Sequence, residues 1–83
     1  MNYKSEEELT ESIIEIVKEA TRCNDVSSDS STETLSEWDS LAYMSILSEI
    51  EVDYDVEITE DNIASFDSIS SIVGIIQKNN LES

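Results

Sequence analysis

Apolar residues recur along this chain at three- and four-residue spacing, with polar runs between them. From about Ser5 to Arg22, Leu9, Ile13, Ile16, Val17 and Ala20 make one stripe on a 3.6-residue helix. Ser5 and Glu8 have the form of a capping box. Glu6, Glu7 and Glu8 lie where the helix dipole favours acids, and Lys18 and Arg22 where it favours bases. A second helix is predicted from Ser40 to about Tyr54, with Asp39 as N-cap. Its expected core face is Leu41, Met44, Leu47 and Ile50, flanked by Ile46 and ended by Tyr54; Tyr43 lies off that stripe and is expected to be exposed. Residues 55–58 look extended but are too few for a sheet. Thr59 is placed to cap a short turn from Glu60 to about Ser65, with Ile63 facing inward. Asp67 or Ser68 caps a last helix to about Lys78, with Ile69, Ile72, Val73 and Ile76 as its core face. Residues 79–83 are expected to fray.

Between the first two helices, Cys23 to Asp39 is a long polar connection anchored by Val26 and Leu35. A connection this long in a small domain is functional or ordered on the core. Proline is absent and Gly74 is the sole glycine, which leaves little punctuation for hairpins. The expected fold is all-α: three longer helices and a short third one, a small four-helix bundle made by residues 1–83 as a single domain.

Composition narrows the function. At 83 residues a chain buries roughly 60–65% of its unfolded surface, too little for a deep catalytic cleft with its own supporting shell. Twenty acids against four bases give a net charge of −16. That balance argues against nucleic acid and anionic membranes, which need Lys and Arg to neutralise phosphate. It favours partners with basic faces, found by electrostatic steering, and costs stability through self-repulsion. A single cysteine, Cys23, allows no intrachain disulfide and fits a reducing compartment. No apolar run has transmembrane length and no signal-peptide pattern is present, so a soluble, cytoplasmic monomer is expected.

Catalysis finds few candidates. There is no histidine to serve as a base, Cys23 has no histidine or second cysteine beside it, and no zinc ligand set exists. The run Asp53-Tyr54-Asp55-Val56-Glu57 alternates acids as a calcium loop does, but Ile58 stands where glycine is needed and Ala64 where the bidentate glutamate is needed. No metal site is expected, and the sequence points to a non-enzyme. Ser40 remains. It stands at a helix start, where backbone N–H groups lack intrahelical partners and the dipole is positive, so a phosphodiester on its hydroxyl sits in a favourable field.

The tripeptide Asp39-Ser40-Leu41 and the ungapped apolar register from there to Ile76 resemble the acyl carrier protein family. Met44, Leu47 and Ile50 fall where that family's second helix is apolar, Tyr54 where an aromatic ends it, and Glu57-Ile58 where a Glu-Ile step follows. Ile63 and Phe66 fit its short third helix, and Ile69, Val73 and Ile76 its fourth. The resemblance implies that a phosphopantetheinyl transferase moves 4′-phosphopantetheine from coenzyme A to Ser40. It implies that the arm's thiol holds acyl groups as thioesters and that the protein presents them to acyl-loading and acyl-transferring enzymes with basic faces. It also implies that apolar residues between the helices can shelter an acyl chain. Asp39 is then a cap or a transferase contact, and Leu41 a core residue or a docking contact. Tyr43, Glu49, Glu51 and Asp53 belong to the docking surface, Met44 to the core, and Trp38 either packs on the core from the loop or stays half-exposed near the arm.

Departures from the common fatty-acid pattern refine this expectation. Glu37-Trp38 replaces small residues, Thr59 replaces a frequent proline, Ala42 and Ser45 stand where acids are frequent, and Val52 interrupts the cluster of Glu49, Glu51 and Asp53. These look more like specialised carriers of secondary-metabolite or surface-polysaccharide pathways than fatty-acid synthesis. A non-covalent acidic helical adaptor and an aminoacyl carrier are the alternatives.

Overall fold

The computed structural model describes residues 6–82, with side chains as far as Asn79. The capping role expected of Ser5 lies outside the described residues. Three α-helices form: α1 (Glu6–Thr21), α2 (Ser40–Tyr54) and α3 (Ile69–Glu82). A 3-10 turn, Ile63–Ser65, stands in the place of a fourth helix. The described residues thus make a small helical bundle of three helices; the short third helix is reduced to this single turn.

α1 forms as the stripe predicts. Leu9, Ile13 and Val17 are buried, and Ile16 and Ala20 pack against the core from its edge. Thr21 is buried as well, because its hydroxyl donates to the Val17 carbonyl at 2.7 Å and so carries its own partner. The helix stops at Arg22, whose φ of 58° is left-handed. An L-residue there costs roughly 1–2 kcal/mol, which glycine would avoid.

The connection after α1 is pinned at several points. Val26, Leu35 and Trp38 are buried. Ser30 is buried with its Oγ accepting from the Ser27 amide at 2.9 Å. An antiparallel bridge pairs Ser31 with Ser68: the Thr32 amide donates to the Asp67 carbonyl at 2.9 Å, and the Ile69 amide to the Ser30 carbonyl at 3.1 Å. The loop therefore supplies a partner for the first amide of α3, one of the donors every helix start leaves open.

α1 packs against both α2 and α3. The crossing segment from Asp55 to Ser68 covers the remaining side. Val56 and Phe66 on it are buried in the same core as Ile46 and Ile50 of α2 and Ile69, Ile72, Val73 and Ile76 of α3. Ser68 caps α3, its Oγ accepting from the Ser71 amide at 3.2 Å. The helix runs on to Glu82, past the expected stop at Lys78.

Two facing assignments are corrected. On α2 the buried residues are Ala42, Ile46, Leu47 and Ile50, while Leu41 and Met44 face outward. Steps of three residues fall short of a 3.6-residue turn, so 41, 44, 47 and 50 rotate by about 60° at each step. That series walks from the outer surface to the core and is not one face. In the 3-10 turn, Ile63 is 37% exposed and Phe66 is fully buried. Thr59 accepts through its backbone carbonyl, from the Asn62 and Ile63 amides. The side chain that organises the turn is Asn62, which accepts from the Thr59 amide at 2.8 Å and donates to the Glu57 carbonyl at 3.0 Å.

Candidate functional site

Ser40 is the first residue of α2 and is exposed. Asp39 before it is in extended geometry, and its Oδ1 accepts from the Ala42 amide at 3.0 Å. Its carbonyl accepts from the Tyr43 amide at 2.8 Å. Asp39 therefore satisfies the third amide of the helix with its side chain and the fourth with its backbone. The amides of Ser40 and Leu41 carry the positive end of the helix dipole. No acid stands in the first turn of α2. An anion attached through the Ser40 hydroxyl meets this field with no acid in the first turn of the helix.

The serine is held on a rigid base. Trp38, two residues before it, is 4% exposed, and its amide donates to the Leu35 carbonyl at 3.1 Å. Burial of this indole ties the entry to α2 to the core. Its Nε1–H has no acceptor among the described residues. A buried donor without a partner costs about 1–3 kcal/mol, which the burial of a large aromatic surface offsets.

One strip of the outer surface of α2 carries no charge along the length of the helix. Leu41, Met44, Ser45, Ser48 and Val52 share about 100° of arc and all are exposed. Leu41 is 80%, Met44 60% and Val52 82% exposed. Glu51 borders one side of this strip, and Glu49, with Asp53 beyond it, the other. The three acids lie roughly 13–20 Å along the helix axis from Ser40. Asp39, Ser40 and Leu41 are thus brought together, and Glu49, Glu51 and Asp53 form a separate, distal rim. Val52 is the member that sequence reasoning missed. Its signal was present: an apolar residue between acids, out of register with the buried set.

Tyr43 differs from its expected exposure. It is half-buried against the core, and its hydroxyl donates to the Ile63 carbonyl. Burial, followed by the nearby Asp67 charge, raises its phenol above the ordinary value of 10.0. Met44, expected in the core, lies outside it. No three His, Cys, Asp or Glu side chains among the described residues converge as a metal site.

The profile of the phosphopantetheine attachment site family matches residues 11–76, from the second turn of α1 to the last core residue of α3. The chain belongs to this family. Phosphopantetheine-attachment domains carry covalently bound 4′-phosphopantetheine and act as acyl carriers, not as catalysts. They work with the enzymes that modify them and with enzymes that handle acyl groups. Comparison with curated proteins and with solved structures returns no significant match. No helix among the described residues is long and apolar enough to cross a membrane.

Proposed function

We propose that Ser40 is the attachment point of the 4′-phosphopantetheine arm, and that residues 1–83 act as one carrier domain holding acyl groups as thioesters on it. The observation that carries this is an exposed serine at the first position of a 15-residue helix, capped by Asp39 and free of acids in its first turn. A phosphodiester there gains from the helix dipole and from open backbone donors. The arm makes the thioester effectively intramolecular at a docked active site, which is what a carrier contributes in place of catalysis.

The docking surface is the outer strip of α2. Leu41 and Met44 offer apolar contact beside the arm, with Glu49, Glu51 and Asp53 as an acidic rim for a basic partner face. Tyr43, half-buried against the core with its hydroxyl at the surface, offers a further contact one turn from Ser40. The net charge of −16 opposes pairing of two copies through this strip, which supports a monomer. The replacement of early acids by Ala42 and Ser45 supports a specialised pathway, of secondary-metabolite or surface-polysaccharide type, over general fatty-acid synthesis. The single thiol supports a cytoplasmic setting, and an amino acid held as a thioester would use the same chemistry.

Intact-mass measurement after incubation with coenzyme A, Mg²⁺ and a broad-specificity phosphopantetheinyl transferase tests this. One phosphopantetheine is expected on the wild type and none on Ser40→Ala. A folded wild type that gains nothing would overturn the proposal in favour of a non-covalent acidic adaptor.

A further inference from the structure

Gly74, the sole glycine of the chain, lies inside α3 and is exposed. Glycine in a helix interior lowers the folding constant about four- to fivefold relative to alanine. Neither its backbone nor its neighbours require it here. Its φ is not positive, and a Cβ built on it meets no atom within 4 Å. Gly74 instead lines a groove of about 410 Å³ between α1, α3 and the loop that follows α1. That volume falls in the range of roughly 300–1,000 Å³ that small binding sites span. Ile69 and Val73, both buried, give the groove an apolar floor. Glu6 of α1 and Asp29 of the loop line it as well, and among the described residues no Lys or Arg does. Neither acid has an ion pair among the described residues. An adjoining concavity shares Glu6 and adds Glu7 and Glu11. The walls are fixed, because α1 packs on α3 and the Ile69 amide on the Ser30 carbonyl ties the loop beside Asp29 to the start of α3. No residue of α2 lines the groove, so it lies apart from Ser40 and the exposed strip.

We infer that this groove is a second docking site, which takes a lysine- or arginine-bearing segment of a protein partner with its backbone drawn close over Gly74, and leaves Ser40 free. Charge decides the occupant. A cationic side chain meets two unpaired carboxylates, and its methylene stem lies on the apolar floor. A second copy of this chain, with twenty acids and four bases, is repelled. A side chain at position 74 would hold the partner's backbone away, and close approach is the use that offsets the stability lost to glycine. The consequence for carrying rests on Ser40 as the attachment point: a partner held in the groove keeps the arm at high effective concentration while Ser40 serves an enzyme docked on α2.

Two substitutions and one probe test this. In denaturant unfolding, Gly74→Ala should raise the folding constant about four- to fivefold. A lowered constant would make the glycine structural and overturn the inference. The probe is the blocked peptide acetyl-Lys-Leu-Lys-amide, titrated into the full chain at low salt and followed by amide chemical shifts. The Asp29, Ser70 and Val73 amides are expected to move together and saturate. Binding should be about tenfold weaker in Gly74→Gln, whose side chain fills the groove without changing its charge. Shifts that Gly74→Gln leaves unchanged, or that are equally large at Glu15 and Glu49, would mean charge attraction without a site and would overturn the inference. Loading of Ser40 by the transferase should run at the same rate with and without saturating peptide. A slowing that Gly74→Gln abolishes would overturn the separation from α2. A wild type that cannot be loaded would overturn the carrier reading, and the titration would still decide the groove.

Discussion

α1 and α2 are close in length, 16 and 15 residues, and each buries four residues, Thr21 of α1 being the one polar member. They differ in what lies on the other side. The outer surface of α1 is mostly acidic, as expected of a helix whose back is solvated. That of α2 carries Leu41, Met44 and Val52 in the open. α1 therefore spends its apolar residues on folding, whereas α2 holds more than the core can take. Exposed apolar residues in a chain of net charge −16 are not needed for solubility or stability, and those next to Ser40, Leu41 and Met44, favour the docking role proposed for this surface.

Stability measurements can break this contrast. The largest effect is expected at the inner face. Ile46→Ala on α2, like Ile13→Ala on α1, should cost about 2–5 kcal/mol in denaturant unfolding, since both are fully buried. Met44→Ala should stay within about 0.5 kcal/mol. A cost at Met44 equal to that at Ile46 would mean that α2 has no surplus face. A smaller effect is expected at the start of α2. Asp39→Ala removes the acceptor of the Ala42 amide and should cost about 0.5–2 kcal/mol. No loss there would place the cap elsewhere and remove the rigid setting of Ser40.

The smallest effect is in alkali. The folded protein holds the Tyr43 proton more tightly than the unfolded chain does. This group's contribution is thus fully present below about pH 10 and is lost as pH rises through the higher folded value. Melting temperatures followed from pH 9 upward should fall less steeply in Tyr43→Phe than in wild type. Parallel curves would mean that the phenol contributes nothing through its bond to Ile63.

Much of the fold was legible because it is local. The start of α2 at Ser40 with Asp39 as cap, the core face of α3, and the anchoring of the loop by Val26, Leu35 and Trp38 all follow from spacing and capping chemistry. The place of Ser40 at a helix start was legible for the same reason, whereas its reading as an attachment point came from the resemblance carried by the register from Asp39 to Ile76. Less legible were the positions where two apolar sets overlap on one helix. Leu41 and Met44 have the composition of core residues, and nothing local distinguishes them from Ala42 and Ile46. The 3-10 turn failed similarly: Ile63 and Phe66 are both apolar, and only one place in the core was open.

The sequence by itself determined where the helices begin, which serine stands at a helix start, and the charge that any partner must answer. Those properties depend on hydrogen bonds within a few residues and on simple sums. Only the tertiary structure decided which face of α2 is turned inward, that Phe66 and not Ile63 enters the core, and that the Tyr43 hydroxyl meets a carbonyl twenty residues further on. These choices depend on the volume left between α1, α3 and the crossing segment, which no single segment can specify.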